Sequence, residues 1–195
     1  MARADGRLTA DLNPQDHGPQ DACGVIGIYA PGEEVSKLTY FGMYALQHRG
    51  QESAGMAVSD GRHMMVFKDM GLVSQVFDEA TLNSLQGHMA VGHTRYSTTG
   101  ASIWDNAQPT FRSRQGGDGL ALAHNGNLTN TGALEALIAE RAPDTEVPHK
   151  DRMDSSSDTS LVTALMTTYD GTLEEVAAQV LPHLQGAFSL VFMDD

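Results

Sequence analysis

Cys23 is the only cysteine in this chain of 195 residues, and it stands at a seam. Before it lies the polar stretch MARADGRLTADLNPQDHGPQDA; after it comes the apolar, β-branched run GVIGIYA. A thiol with a histidine beside it in space is one arrangement that could make a nucleophile. Cleavage between Ala22 and Cys23 is another, and it accounts for the seam. It would free an α-amino group with an unperturbed pKa of about 7.7–8.0, suited to taking the thiol proton near neutral pH. Nucleophile and base would then reside in one residue.

Attack of such a thiol on a carboxamide builds an oxyanion, which needs donors aimed at it. The stretch HNGN offers the Asn125 side-chain amide and the Gly126 backbone N–H at a predicted strand end. A free amino-acid substrate also carries an α-carboxylate and an α-ammonium. Arg95 offers a planar fork for the first, and Asp158, opening a predicted helix, a carboxylate for the second. Each has a plainer reading in isolation: an Asn-Gly turn, a surface ion pair, a helix cap. Metal chemistry is the rival, since the chain has eight histidines. No pair, His48, His93 and His124 included, has HxH or HExxH spacing, and no second cysteine helps.

These residues need strands and helices to position them. CGVIGIYA reads as a buried strand, and KLTYFGMYALQHRG as a helix with Leu38, Phe41 and Ala45 on its apolar face and a closing Gly50. SAGMAVSDGRHMMVFK is a hairpin about Asp60-Gly61. GLVSQVFDEATLNSL reads as one helix, with Leu72, Val76 and Leu82 among its apolar positions. HMAVGHTR and GLALAHNGN are strands, with RSRQGGDG as a loose hairpin loop between them. Three helices follow in TGALEALIAERA, SDTSLVTALMTTY and TLEEVAAQVLPHLQ, then the strand GAFSLVF. Paired strands and clustered helices predict an α+β fold.

Composition bounds the function. Twelve basic against 25 acidic residues, a net charge of −13, argue against nucleic-acid binding, which needs basic patches. No run approaches the roughly 18 apolar residues of a membrane span. The lone cysteine points to a reducing, cytoplasmic compartment. Residues 1–22 lack the apolar core of a secretory signal and read as a disordered leader or propeptide, with the domain occupying 23–195.

The segments CGVIGIY, YALQHRGQESAGMAV, GLVSQVF, GHTRYSTTGAS, NAQP, LAHNGNLTN, SDTSLV and GAFSLVFMD occur in this order. Together they resemble the N-terminal class II glutamine amidotransferase (glutaminase) domain of the amidophosphoribosyltransferase family. Other class II amidotransferases share the Cys-Gly start, Arg-Gly and His-Asn-Gly. LQHRGQESAG and GHTRYSTTG resemble the phosphoribosyl enzymes and not asparagine synthetase or glucosamine-phosphate synthase. The resemblance implies a four-layer αββα sandwich of the N-terminal nucleophile hydrolase type. It implies Cys23 as nucleophile, Asn125 and Gly126 as oxyanion hole, Arg95 and Asp158 as ligands of glutamine, and YSTTGASIWDN as the loop closing over it. It further implies removal of the leader, and glutamine hydrolysis feeding ammonia to phosphoribosyl pyrophosphate in the first committed step of purine biosynthesis.

Two departures qualify that expectation: the leader is still present in the sequence, leaving Cys23 unprocessed, and the C-terminal end differs. The sequence stops at Asp195, where relatives continue into more sheet and a phosphoribosyltransferase domain. The domain is therefore expected to be incomplete at its C-terminal end, with strands beyond Asp195 adjoining GAFSLVF. Phosphoribosyl pyrophosphate and Mg2+ belong to that further domain, and a homo-oligomer is expected of the full-length protein. The closing SLVFMDD superficially resembles a phosphoribosyl-pyrophosphate motif but lacks its glycine- and threonine-bearing loop. The iron–sulfur cluster of some relatives could not be ligated by one cysteine. The alternatives are a catalytically silent glutamine-binding module, or the glutaminase domain of another class II amidotransferase.

Overall fold

A computed structural model describes residues 23–96, 103–114, 117–143 and 158–195. The leader 1–22 and the first part of the expected closing loop, 97–102, lie outside the described residues. Strands β1 (Gly24–Tyr29), β2 (Ser53–Ser59), β3 (Met64–Met70) and β4 (Met89–Arg95) form one antiparallel sheet in the order β1-β4-β2-β3. Strands β5 (Thr110–Ser113), β6 (Gly119–Leu128) and β7 (Gly186–Asp194) form a second, in the order β5-β6-β7.

Side-chain size sets the layering. On β6, Leu120 and Leu122 point to one face and Ala121 and Ala123 to the other, as the two-residue strand period requires. The alanines meet Ala57, Val91 and Met193 between the sheets, where small side chains let two backbones approach. The leucines meet helices α4 (Thr131–Arg141), α5 (Asp158–Met166) and α6 (Leu173–Val180) through Leu134, Ile138, Leu165 and Val176. On the far side of the first sheet, Met56 and Val58 of β2 meet α1 (Val35–Ala45), α2 (Val73–Val76) and α3 (Glu79–Ser84). Helices, sheet, sheet, helices: the expected αββα sandwich is the observed one.

Three local expectations need correction. Leu38, Phe41 and Ala45 of α1 face outward; its buried positions are Val35, Ser36, Thr39 and Met43. The sheet beneath dictates this, because Thr39 and Met43 close over the space left by Gly92 of β4. Residues 72–85 form two helices and not one. Phe77 turns extended, and Asp78 restarts the chain by accepting from the Thr81 N–H at 2.7 Å. Finally, β4 and β6 belong to different sheets, and β6 takes its hairpin partner from β5, a strand the sequence reading left unassigned. The Asp60-Gly61 hairpin, by contrast, forms as expected, with Asp60 Oδ1 accepting from the Arg62 and His63 amides.

Candidate active site

Cys23 immediately precedes β1, whose first residue pairs with Thr94 of β4. That register lays the cysteine beside the end of β4. The thiol donates to the Tyr96 carbonyl at 3.3 Å, and the Tyr96 amide donates back to the sulfur at 3.4 Å. Arg49 Nε donates to the Cys23 carbonyl at 3.3 Å. Burial pushes the thiol pKa up, against the opposing pull of the Tyr96 amide and the Arg95 charge; Glu52 raises it further. A thiol so disfavoured as thiolate needs a base close at hand.

The wall behind Cys23 comes from the segment 47–53. A short 3-10 turn, Gln47–Arg49, is fastened to α2 where the Val73 amide donates to Gln47 Oε1 at 2.6 Å. Gly50 then lies flat against the Thr94 and Arg95 backbone, where any side chain would collide with main-chain atoms. Glu52 donates its amide to the Arg95 carbonyl at 3.1 Å, and Ser53 opens β2 opposite Arg95. Arg95 itself is only 5% exposed. Sequence reasoning at strand ends found Arg95 and passed over Arg49 and Glu52, which lie before β2 and not after a strand. Their only sequence signal was membership of the HRGQES word.

Asn125 and Gly126 sit on β6 where it emerges from the core: the strand is buried through His124 and opens at Asn125. Gly126 has φ +143°, and a methyl group there would run into the Ala187 carbonyl of β7, so this step of the strand demands glycine. The two walls meet across the sheets. Val91 of β4 packs with Ala121 and Ala123 of β6, and two residues on, His93 Nε2 donates to the His124 carbonyl at 3.2 Å. Both strands therefore run toward the same end, one delivering Arg95 and the other Asn125.

Asp158, the first residue of α5, accepts from the Leu128 amide of β6 at 2.7 Å, and its charge acts on His124. All five predicted residues thus gather at one end of the sandwich, in two groups. Cys23 and Arg95 stand with Arg49, Glu52 and Tyr96; Asn125, Gly126 and Asp158 stand around the emerging end of β6. A cavity of about 450 Å³ elsewhere, lined by Phe67, Lys68, Trp104 and Phe111 among others, contains none of them. The acidic pair that closes the chain is occupied structurally: Arg114 donates to Asp194 at 3.2 Å, and Gly119 donates its amide to Asp195. That run is the edge of a sheet, paired with β6 along its whole length.

Two sheets between helical layers, with a cysteine at the head of one strand and His-Asn-Gly emerging from the facing sheet, form an αββα sandwich of the N-terminal nucleophile hydrolase type. The chain is 53% identical over 197 residues to the amidophosphoribosyltransferase of Mycobacterium tuberculosis, covering 96% of this chain and 36% of that protein. It is 63% identical over 123 residues to that of Synechocystis sp., covering 63% of this chain and 25% of that one. Among solved structures, the glutamine phosphoribosylpyrophosphate amidotransferase of Bacillus subtilis, complexed with ADP and GMP, matches with TM-score 0.72 and 35% identity. That match covers 87% of this chain and 34% of the other. No protein-family model matches the chain. The chain's curated homologues are amidophosphoribosyltransferases, and it spans about a third of the length of those it matches.

Proposed function

We propose that this chain hydrolyses L-glutamine to glutamate and ammonia, with Cys23 as nucleophile. The observation that carries the reading is the thiol at the head of β1, held against the Arg95 end of β4 with the Asn125-Gly126 end of β6 in the facing sheet. Removal of residues 1–22 converts the Cys23 nitrogen from a peptide nitrogen into an amine. That amine takes the thiol proton as sulfur attacks the carboxamide carbon, and returns it to the departing nitrogen as ammonia leaves. Water then cleaves the thioester and restores the thiol. Asn125 Nδ2 and the Gly126 N–H stabilise the oxyanion in both halves.

Arg95 binds the glutamine α-carboxylate through its fork. Asp158 binds the α-ammonium with one carboxylate oxygen while the Leu128 amide anchors the other. Thiol, amine and two N–H donors supply nucleophile, base and oxyanion stabilisation, so this step draws on no metal. In the parent protein the ammonia aminates phosphoribosyl pyrophosphate to 5-phosphoribosylamine. Mg2+ and the pyrophosphate are assigned to the further domain of that protein, and the full-length protein assembles as a homo-oligomer. No helix among the described residues is long and apolar enough to cross a membrane; the cytoplasmic assignment rests on the lone free cysteine.

Intact mass and a glutaminase assay test the reading together. The active form should lack Met1–Ala22, and a glutamine-analogue electrophile should label Cys23 alone. Cys23→Ala should abolish both hydrolysis and labelling. Full activity with the leader retained would remove the amine as base; activity in the alanine variant would overturn the mechanism.

A further inference from the structure

We propose that His93 is a positioning residue for the oxyanion hole: together with Gln108 it holds the His124 residue of β6, and through it sets the position of Asn125 and Gly126. This rests on the glutaminase reading above.

The reason lies in where β5 ends. β5 and β6 pair from Ser113↔Gly119 to Thr110↔Leu122 and then part. Continuing that register would put Gln108 opposite His124, but the main chain has turned away, with the Gln108 carbonyl against Gly55 of the other sheet. His124 therefore faces a gap in the ladder with a buried N–H and a buried C=O, each costly to leave unmade. Side chains fill the gap. Gln108 Oε1 accepts from the His124 amide at 2.7 Å, and His93 Nε2 donates to the His124 carbonyl at 3.2 Å. All three residues are buried. The His124 carbonyl belongs to the same peptide unit as the Asn125 amide, so a shift of this clamp is a shift of Asn125.

The chemistry of the ring suits the task. A carbonyl only accepts, so the His93 proton must reside on Nε2. Burial pushes the His93 pKa down to about 3, with the Arg95 charge lowering it further, so the ring stays neutral and the tautomer constant across the working pH range. Among the described residues the other ring nitrogen has no hydrogen-bond partner. The polar content of this buried side chain thus goes into one bond, and that bond ends one residue before the proposed oxyanion donor.

His93→Leu keeps an apolar body and removes the donor; His93→Gln restores an N–H. In the full chain, His93→Leu should lower kcat for glutamine hydrolysis by about 10–100-fold, the scale of misplacing a catalytic group by an ångström. KM should change less than about threefold, and His93→Gln should recover most of the loss. Because His93 acts through Asn125, adding His93→Leu to Asn125→Ala should cost little further. Amide hydrogen exchange gives a readout independent of turnover: His93→Leu should speed exchange in residues 124–127 and leave β2 unchanged. Unchanged exchange there, or fully additive effects in the double variant, would overturn the positioning role. An inactive wild-type chain would instead overturn the glutaminase reading, with the exchange comparison still deciding this one.

Discussion

β4 reaches the site with a strand on each side of it; β6 reaches it with one. At the end of β4, Gly24 of β1 pairs with Thr94 and Ser53 of β2 pairs with Arg95, so main-chain ladders hold the wall beside Cys23, the proposed nucleophile. At the end of β6, only Ser189 and Phe188 of β7 continue the pairing beside Asn125 and Gly126, because β5 has ended. The vacant side is closed by Gln108 and His93, and Asp158 ties down Leu128 further along. Backbone ladders tolerate most substitutions, since they use groups every residue carries. Side-chain clamps do not. The wall proposed to hold the oxyanion is therefore where single mutations far from substrate should matter most.

The comparison sharpens when the walls are mutated one at a time. Asn125→Ala should lower kcat by roughly 10²–10³-fold with glutamine KM nearly unchanged, since its donor acts on charge that develops during reaction. Steady-state kinetics checks this; a rise in KM with kcat intact would make Asn125 a ground-state contact. Arg95→Lys should do the opposite, raising KM by roughly 10–100-fold with a smaller effect on kcat, because an ammonium cannot reproduce a two-pronged bond to carboxylate. If both variants moved the same parameter, the division into two walls would fail.

Gly126→Ala probes the same division through stability. Positive φ costs a non-glycine residue roughly 1–2 kcal/mol, and the added methyl also meets the Ala187 carbonyl. Thermal melting should show a loss of at least that size. Relief by local movement of β6 would instead appear as a low kcat in a normally stable protein.

The smallest effect expected is on acid stability. His93, held near 3 by burial, is neutral in the folded chain, and burial lowers His124 as well, against the pull of the Asp158 charge. Above about pH 6.5 the unfolded chain is neutral at these positions as well, so neither residue contributes a pH dependence. Below it the unfolded chain takes up protons that the folded chain refuses. Stability should then fall by at most about 1.4 kcal/mol per pH unit for each histidine. Urea titrations between pH 7 and 5 should show this slope, and His93→Gln should flatten it by up to one proton; an identical slope in that variant would place the proton uptake elsewhere.

Much of the candidate site could be proposed from the residues in order. A thiol at a seam, a buried strand ending in arginine, an Asn-Gly step and an acid opening a helix are local features, and the chemistry of each follows from its type. The α+β class was legible from paired strands and clustered helices, while the four layers followed only from the family resemblance. The Leu-Ala alternation of GLALA took its meaning once β6 lay between helices and sheet. The buried face of α1 was not legible. Hydrophobicity pointed to Leu38 and Phe41, whereas the glycine of β4 selected Thr39 and Met43 by shape, a preference that exists only once the helix lies on the sheet.

The histidines mark the limit. By spacing, His93 and His124 could be dismissed as metal ligands, but nothing in the sequence joins them to each other or to Gln108. Their relation arises because β5 stops short and two sheets stack, putting side chains from three distant segments around one peptide. Sequence by itself determined which groups can react, since reactivity belongs to the residue. Tertiary structure decided which backbone groups lost their strand partners and what replaced them, because hydrogen-bond satisfaction in a buried sheet depends on every neighbouring strand at once.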